Sequence, residues 1–290
     1  MPNILVAGAT GYLGRYLVQT LHQRGHNVRA LARSTEKLQS LQNYIDSSHV
    51  GQATNATSIK GICDNIDIAI SSLGITRQKD GLTYNDVDYK ANLHLLNEAQ
   101  TSPTTTKFIY VSVLNAHQLQ NLKMVKAKLK FENVLKKSGL QYQIIYPNGF
   151  FSDMTEFFNM AKSGTAYAFG DGTLQYNPIH GLDLANYIVD NINSISKELP
   201  IGGPEILTQN EITNAAFAAL NKPAHTRHIP IFVAKSLRFL MQTFTSTKTH
   251  GPIEFFLTVL TQNMIAPATG THTLKSYFQK LAAKDTTTPH

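Results

Sequence analysis

Short apolar runs alternate with amphipathic stretches through the first half of the chain. Ile4–Ala7 is apolar throughout, Tyr12–Arg24 places its apolar residues at helical spacing, and Asn27–Ala32 returns to an extended pattern. Continued along the chain, the alternation predicts strands at Asn3–Ala7, Asn27–Ala32, His49–Gln52, Asp67–Leu73, Lys107–Leu114 and Gln141–Tyr146. The intervening helices are Tyr12–Arg24, Thr35–Asn43, Thr57–Cys63, Tyr84–Thr101 and Lys123–Ser138. Strands that alternate with helices in this way predict an α/β protein with a doubly wound parallel sheet. Beyond Gly149 the alternation decays into shorter elements, with helices predicted at Gly181–Ile195, Asn210–Leu220, Val233–Thr245, Pro252–Thr261 and Leu274–Ala283. The reading divides the chain into a core over 1–149 and, over 150–290, the remaining sheet elements with a small C-terminal cap. The polar tail Lys284–His290 is expected to fray.

The join between the first strand and the first helix carries three glycines, Gly8, Gly11 and Gly14, in the run Gly8-Ala-Thr10-Gly11-Tyr12-Leu13-Gly14. Strand, glycines and helix in that order form a dinucleotide-binding loop. Gly8 permits the tight turn, Gly11 lets the backbone approach a pyrophosphate, and Gly14 lets the helix pack close to the strand. The helix N-terminus supplies N–H groups and a positive dipole end to the phosphates. The residues after the second strand indicate which dinucleotide. An acid there would hold a ribose 2′-hydroxyl, but the strand ends Leu31-Ala32-Arg33-Ser34. Arg33 is suited to a 2′-phosphate, with Arg15 and Lys37 adding to the field, so NADP(H) is favoured over NAD(H). Ala53 and Thr54 after the third strand, and Ser72, Leu73 and Gly74 after the fourth, fall where the adenine and ribose pocket needs walls.

Composition narrows the remaining classes. The 290 residues are 42% apolar and 16% charged, ordinary for a globular protein. A single cysteine, Cys63, excludes an intrachain disulfide, which suits a reducing compartment, and no secretory signal is evident, so a cytoplasmic location is expected. No apolar run is long enough to span a bilayer. The net charge of +7 is densest on Lys123–Lys137, where a solvated lysine face explains it; without interleaved aromatics or a recognition motif, nucleic acid is not an expected partner. Eleven histidines offer no metal spacing, because His225 and His228 lack a third ligand. There is no serine elbow or P-loop lysine to anchor a hydrolase or kinase.

Several further motifs carry a family resemblance over nearly the whole chain. The glycine loop, Asp88-Tyr-Lys-Ala-Asn92, Tyr110-Val-Ser-Val-Leu-Asn-Ala116 and Pro178-Ile-His-Gly-Leu-Asp183-Leu-Ala185 resemble the extended and atypical short-chain dehydrogenase/reductases. Ala127-Lys-Leu-Lys-Phe-Glu132, Phe169-Gly-Asp-Gly172, Leu199-Pro-Ile-Gly-Gly-Pro204 and Gly270-Thr-His-Thr-Leu274 resemble the atypical branch that contains the divinyl (proto)chlorophyllide 8-vinyl reductases and bacterial relatives. Most of the superfamily uses Tyr-x-x-x-Lys, the tyrosine protonating a carbonyl oxygen and the lysine gripping the nicotinamide ribose. The family's Lys-x-x-x-Glu spacing, counted back from Glu132, gives Lys128, and the tyrosine position is then Met124. A thioether cannot donate a proton, which argues against ordinary alcohol–ketone chemistry.

The resemblance therefore implies an NADP(H)-dependent reductase of an activated C=C or related group of a lipophilic small molecule. Lys128 and Ser112 are its candidate catalytic residues, and both also approach the cofactor. Pro147 and Asn148 after the sixth strand are expected at the nicotinamide, with Met124, Phe150 and Phe151 toward the substrate. The Val233–Thr245 and Pro252–Thr261 helices are expected to wall an apolar cavity. Two other readings stay open: a non-catalytic NADP(H)-binding sensor or accessory subunit, and a sugar-nucleotide or carbonyl reductase/epimerase. Neither the substrate nor the oligomeric state is legible.

Overall fold

A computed structural model describes residues 1–75, 81–244 and 247–287. The chain forms two compact units, Met1–Tyr146 with Leu184–Leu199, and Pro147–Asp183 with Pro200–His290. Among the described residues, eleven strands follow in chain order: β1 (Asn3–Ala7), β2 (Asn27–Ala32), β3 (Ser47–Val50), β4 (Ile68–Ser71), β5 (Lys107–Val111), β6 (Gln141–Pro147), β7 (Ala166–Phe169), β8 (Gln175–Tyr176), β9 (Glu198–Ile201), β10 (Leu207–Thr208) and β11 (Thr226–Ile229). The helices are α1 (Tyr12–Gln23), α2 (Asn92–Thr101), α3 (Lys123–Leu135), α4 (Phe151–Lys162), α5 (Gly181–Asp190), α6 (Gln209–Ala219), α7 (Ile231–Phe244), α8 (Thr247–Leu260) and α9 (Leu274–Thr287).

The main sheet has seven strands in the order β3-β2-β1-β4-β5-β6-β9. All pairings from β3 through β6 are parallel. Strands covered on both faces should read as continuous apolar runs, and every residue of β4 and β5 is buried. β3, at the edge, has the polar sequence Ser-Ser-His-Val and is largely exposed. The chain winds outward from β1 to β3, then returns to place β4 beside β1. That reversal of strand order opens the crevice in which such sheets bind ligands, beyond the carboxyl ends of the strands.

Three segments differ from simple α-helix. Thr35–Tyr44 is a 3₁₀ helix whose buried residues, Leu38 and Leu41, are three apart and so line up on a three-residue turn. The expected helix at Thr57–Cys63 shortens to the 3₁₀ turn Ala56–Ile59, capped by Asn55. The helix expected over Tyr84–Thr101 begins as a π-helix, Asn85–Ala91, before continuing as α2. Here the Asn92 amide donates to the carbonyls of Val87 and Asp88, both at 3.1 Å, and so stabilises the widened turn.

In the second unit, α4 buries Phe151, Met154, Phe157 and Phe158, and Phe158 meets Phe278 of α9 with ring centres 5.9 Å apart. β7 pairs with β11 in parallel and β8 with β10 antiparallel. Two buried side chains tie its loops together. Asn177 accepts from Asn148 Nδ2 at 2.8 Å and Ala266 N at 3.0 Å, and donates to the carbonyls of Ala266 and Gly203. Asp183 accepts from the backbone of Thr271 and His272 and from His272 Nδ1 at 2.8 Å. The Pro178–Ala185 and Gly270–Leu274 motifs meet at this aspartate. His228 bonds to Asn210 at 3.0 Å, and among the described residues no His, Cys, Asp or Glu cluster is arranged to hold a metal. No helix of the described residues is long and apolar enough to cross a membrane. The polar tail continues α9 to Thr287; residues 288–290, like Thr245 of the expected Val233–Thr245 helix, lie outside the described residues.

Candidate dinucleotide site and the buried polar clasp

The first unit builds its site at the carboxyl ends of β1, β4 and β5. Gly8 has φ +85°, open to glycine, and Gly11 N–H closes the turn onto Gly8 O at 2.9 Å. A Cβ at Gly14 would stand 2.0 Å from Gly8 O, so α1 lies against this turn closer than any side chain allows. α1 then starts at Gly11 with no side-chain cap and no acid in its first turn. A polar cradle kept clear of side chains and an uncapped helix start fit a pyrophosphate. Thr10 O accepts from Arg15 Nε at 3.0 Å, which holds a guanidinium beside the loop. Tyr12 is half-buried, edge-on to Tyr16, while Leu13 is buried in the core.

The other expected cofactor contacts follow β2, β3 and β4. Arg33 is exposed just past β2. Glu36 is the first acid after that strand; a hydrogen bond from Ser34 holds its carboxyl below the ordinary value. Ala53 O accepts from His94 Nδ1 at 2.8 Å, Thr54 Oγ1 accepts from Gln52, and Ser72 Oγ donates to Ala7 O. Leu73 is half-buried, and Gly74 is exposed directly over a charged pair: its absent Cβ would meet Asp88 Oδ1 at 2.9 Å and Lys128 Nζ at 3.0 Å.

That pair decides how Lys128 is read. α3 turns Lys123, Lys126 and Lys130 outward, while Lys128 is buried. Its ammonium lies 3.0 Å from Asp88 Oδ1 and 5.4 Å from the Tyr110 ring centre. Asp88 comes from the π-helical segment, fully buried, and its burial raises the carboxyl above its ordinary value against the pull of Lys128. Its other oxygen accepts from Ile75 N at 3.4 Å. Lys128 therefore does not belong to the solvated lysine face.

One turn along α3, Glu132 forms a second buried group. Ser112 Oγ, just past β5, donates to Glu132 Oε1 at 2.5 Å, and Tyr146 OH on β6 donates to Oε2 at 2.8 Å. Burial and then the Glu132 charge push the Tyr146 phenol up, so it remains a donor. Glu132 is 1% exposed. Sequence reasoning used Glu132 only to count spacing, quoted Asp88 only within a family motif and gave Tyr146 no role; the available signal was the four-residue step that places Lys128 and Glu132 on one helix face. Met124, four residues before Lys128, is also buried. Cys63 is buried too, its thiol pushed up to about 12 by desolvation, which makes it a poor nucleophile.

In the second unit, Pro147 is buried and Asn148 is committed to its own fold, donating to Asn177 and to Met264 O at 2.7 Å. Phe151 is a core residue there, 5.5 Å from both the His180 and Tyr277 rings, while Phe150 is half-buried. α7 presents Phe232, Val233, Leu237 and Leu240 at its surface.

A reversed parallel sheet, a glycine turn at its first strand and an uncapped helix start define a Rossmann-type dinucleotide-binding protein. The profile of the NAD(P)H-binding family matches residues 8–194, and the chain belongs to that family, in the atypical short-chain dehydrogenase/reductase branch. It is 29% identical to the chloroplastic divinyl chlorophyllide a 8-vinyl-reductase of Cucumis sativus over 97% of this chain and 76% of that protein. Against three further plant reductases of that name, the chain spans 60–64% of their length. It is 25% identical to the photosystem II assembly factor Ycf39 of Synechocystis, over 84% of this chain and 76% of that one. Among solved structures, AtPrR2 with NADP+ and (+)pinoresinol shares the fold, with a TM-score of 0.76 at 15% identity over 96% of this chain and 98% of the other.

Proposed function

We propose that the protein is an NADP(H)-dependent reductase that saturates an activated carbon–carbon double bond of a lipophilic small molecule. The observation that carries this reading is the buried Lys128, ion-paired with Asp88 beneath Gly74, with Met124 one turn earlier where related dehydrogenases keep a tyrosine. The similarity to plant vinyl reductases supports an alkene over a ketone. The nicotinamide, when bound, supplies the hydride. The glycine loop and the start of α1 hold the pyrophosphate, and Arg33 holds the 2′-phosphate. The Asp88 carboxyl holds Lys128 Nζ at 3.0 Å, so Nζ attracts the negative charge that builds on the substrate and carries, or holds a water that carries, the proton. Met124 supplies an apolar wall and no proton.

The test is NADPH oxidation against conjugated alkenes and quinones, with simple ketones as the comparison. Alkene turnover well above ketone turnover is expected; ketones reduced as fast as alkenes would show that an unrecognised acid replaces the missing tyrosine. A second reading, a binding subunit that never oxidises its cofactor, is favoured by the similarity to the assembly factor. Tight NADPH binding with no turnover of any acceptor would select it.

Cofactor choice is tested separately. NADPH should bind more tightly than NADH, and Arg33→Ala should weaken NADPH alone by about 1.5–3 kcal/mol, the worth of a charge-assisted phosphate contact. A calorimetric titration in which the unmutated protein binds NADH as well as NADPH would refute the assignment.

A further inference from the structure

Ser112 has one hydroxyl proton, and the structure shows where it goes. The 2.5 Å contact to Glu132 Oε1 requires a proton between the oxygens, and Ser112 Oγ is its donor. Tyr146 OH occupies the other oxygen at 2.8 Å, and its phenol is held in the protonated form by burial. Glu132 thus receives a hydroxyl donor on each of its oxygens in a pocket that leaves it 1% exposed. The neighbouring cation, Lys128, is already matched to Asp88. A serine free to rotate could donate to a carbonyl oxygen. Here Ser112 Oγ is left with lone pairs alone for any ligand.

We propose that Glu132 is a positioning residue that turns Ser112 into an obligate hydrogen-bond acceptor, so that the site selects molecules bearing an N–H or O–H group beside the reducible bond. Such a site rejects simple ketones and ethers, which offer Ser112 a second acceptor and leave it unpaired. Discrimination of this kind is strong because the penalty falls on a buried polar group. The substrate class rests on the reductase reading above; the direction of the Ser112 hydrogen bond does not.

Infrared difference spectra of the unmutated protein against Glu132→Gln at neutral pH test that direction without turnover. Loss of a carboxylate stretch supports it, and loss of the carbonyl stretch of a protonated carboxyl overturns it. Should Glu132→Gln fail to fold, Ser112→Ala keeps the carboxyl: a shifted carboxylate stretch supports the proposal, and an unmoved one overturns it. The substrate arm compares cinnamamide with N,N-dimethylcinnamamide, which lacks the N–H. A KM about tenfold lower for cinnamamide is expected, as for one hydrogen bond, with the ratio collapsing in Ser112→Ala. Equal KM values in the unmutated protein would overturn the selectivity. No NADPH oxidation by any compound would overturn the reductase reading and the substrate class with it, while the infrared result still decides the polarity of Ser112.

Discussion

Replacing Lys128 with Met should cost the protein about 3–5 kcal/mol of stability and lower turnover by about 10²–10⁴-fold, and adding Asp88→Asn should restore the stability alone. The physical reason lies in the pairing. Asp88 has a fully buried side chain and Lys128 one that is 10% exposed, so removing the cation strands a carboxylate without its counter-charge. Asparagine at position 88 removes the stranded charge and keeps the shape, but it returns no ammonium to the site. Acidification should separate the two effects further. Burial raises the Asp88 carboxyl in the folded protein, so the folded state favours the protonated form; that contribution is present at low pH and is lost as pH rises through the raised value. Without Lys128 the value rises further. The Lys128→Met deficit should therefore shrink as pH falls and grow toward neutrality, read by chemical denaturation across that range. A variant with full activity and full stability would mean that Lys128 has neither role.

Gly14→Ala is expected to be the most damaging single methyl group in the first unit. The added Cβ would lie 2.0 Å from Gly8 O, 2.7 Å from Gly8 C and 2.8 Å from Ala9 Cα. All three are backbone atoms, so no rotamer relieves the contact and α1 must move off the turn. Overpacking of this kind costs about 1–3 kcal/mol. The larger effect is on binding: once α1 moves, its first N–H groups no longer converge with the loop. Losing even one charge-assisted contact weakens NADPH by about 10-fold or more. Thermal unfolding and an NADPH titration measure both. An unchanged dissociation constant would mean that the pyrophosphate is held elsewhere.

What the sequence disclosed was local. Ile4–Ala7, three glycines and an amphipathic helix lie within one stretch of chain, and each residue's role follows from its neighbours. The buried parallel strands were legible for the same reason, because the runs Ile68–Ile70 and Phe108–Val111 are apolar. The clasp was not, since Ser112, Glu132 and Tyr146 come from three elements and carry no shared spacing. Lys128 was singled out by the family spacing from Glu132; six lysines between Lys123 and Lys137 otherwise look alike in sequence, and the phase of α3 shows that this one is buried. Asp88 was hidden by the π-helical turn, whose widened spacing follows no period of the apolar pattern. The 3₁₀ helix over Thr35–Tyr44 reads as an ordinary helix until its two buried leucines are seen to fall three apart.

The route of the chain through the first unit bears on how such a protein can be cut or recombined. The chain leaves that unit after Tyr146, comes back for Leu184–Leu199, and leaves again. The returning segment is bonded into the interior: buried Lys107 donates to Ile192 O at 2.6 Å and Ser194 O at 3.1 Å, and Gln143 donates to Asn191 O and Ser194 O. A fragment ending near residue 150 would therefore retain the whole glycine loop yet lose the returning segment and the carbonyls that accept from Lys107 and Gln143. Exchange with a relative by a single crossover at that point would join a nucleotide half to a returning strand and helix evolved for another partner. A double crossover, entering after Tyr146 and leaving before Leu184, would exchange one part of the second unit and leave the first unit intact.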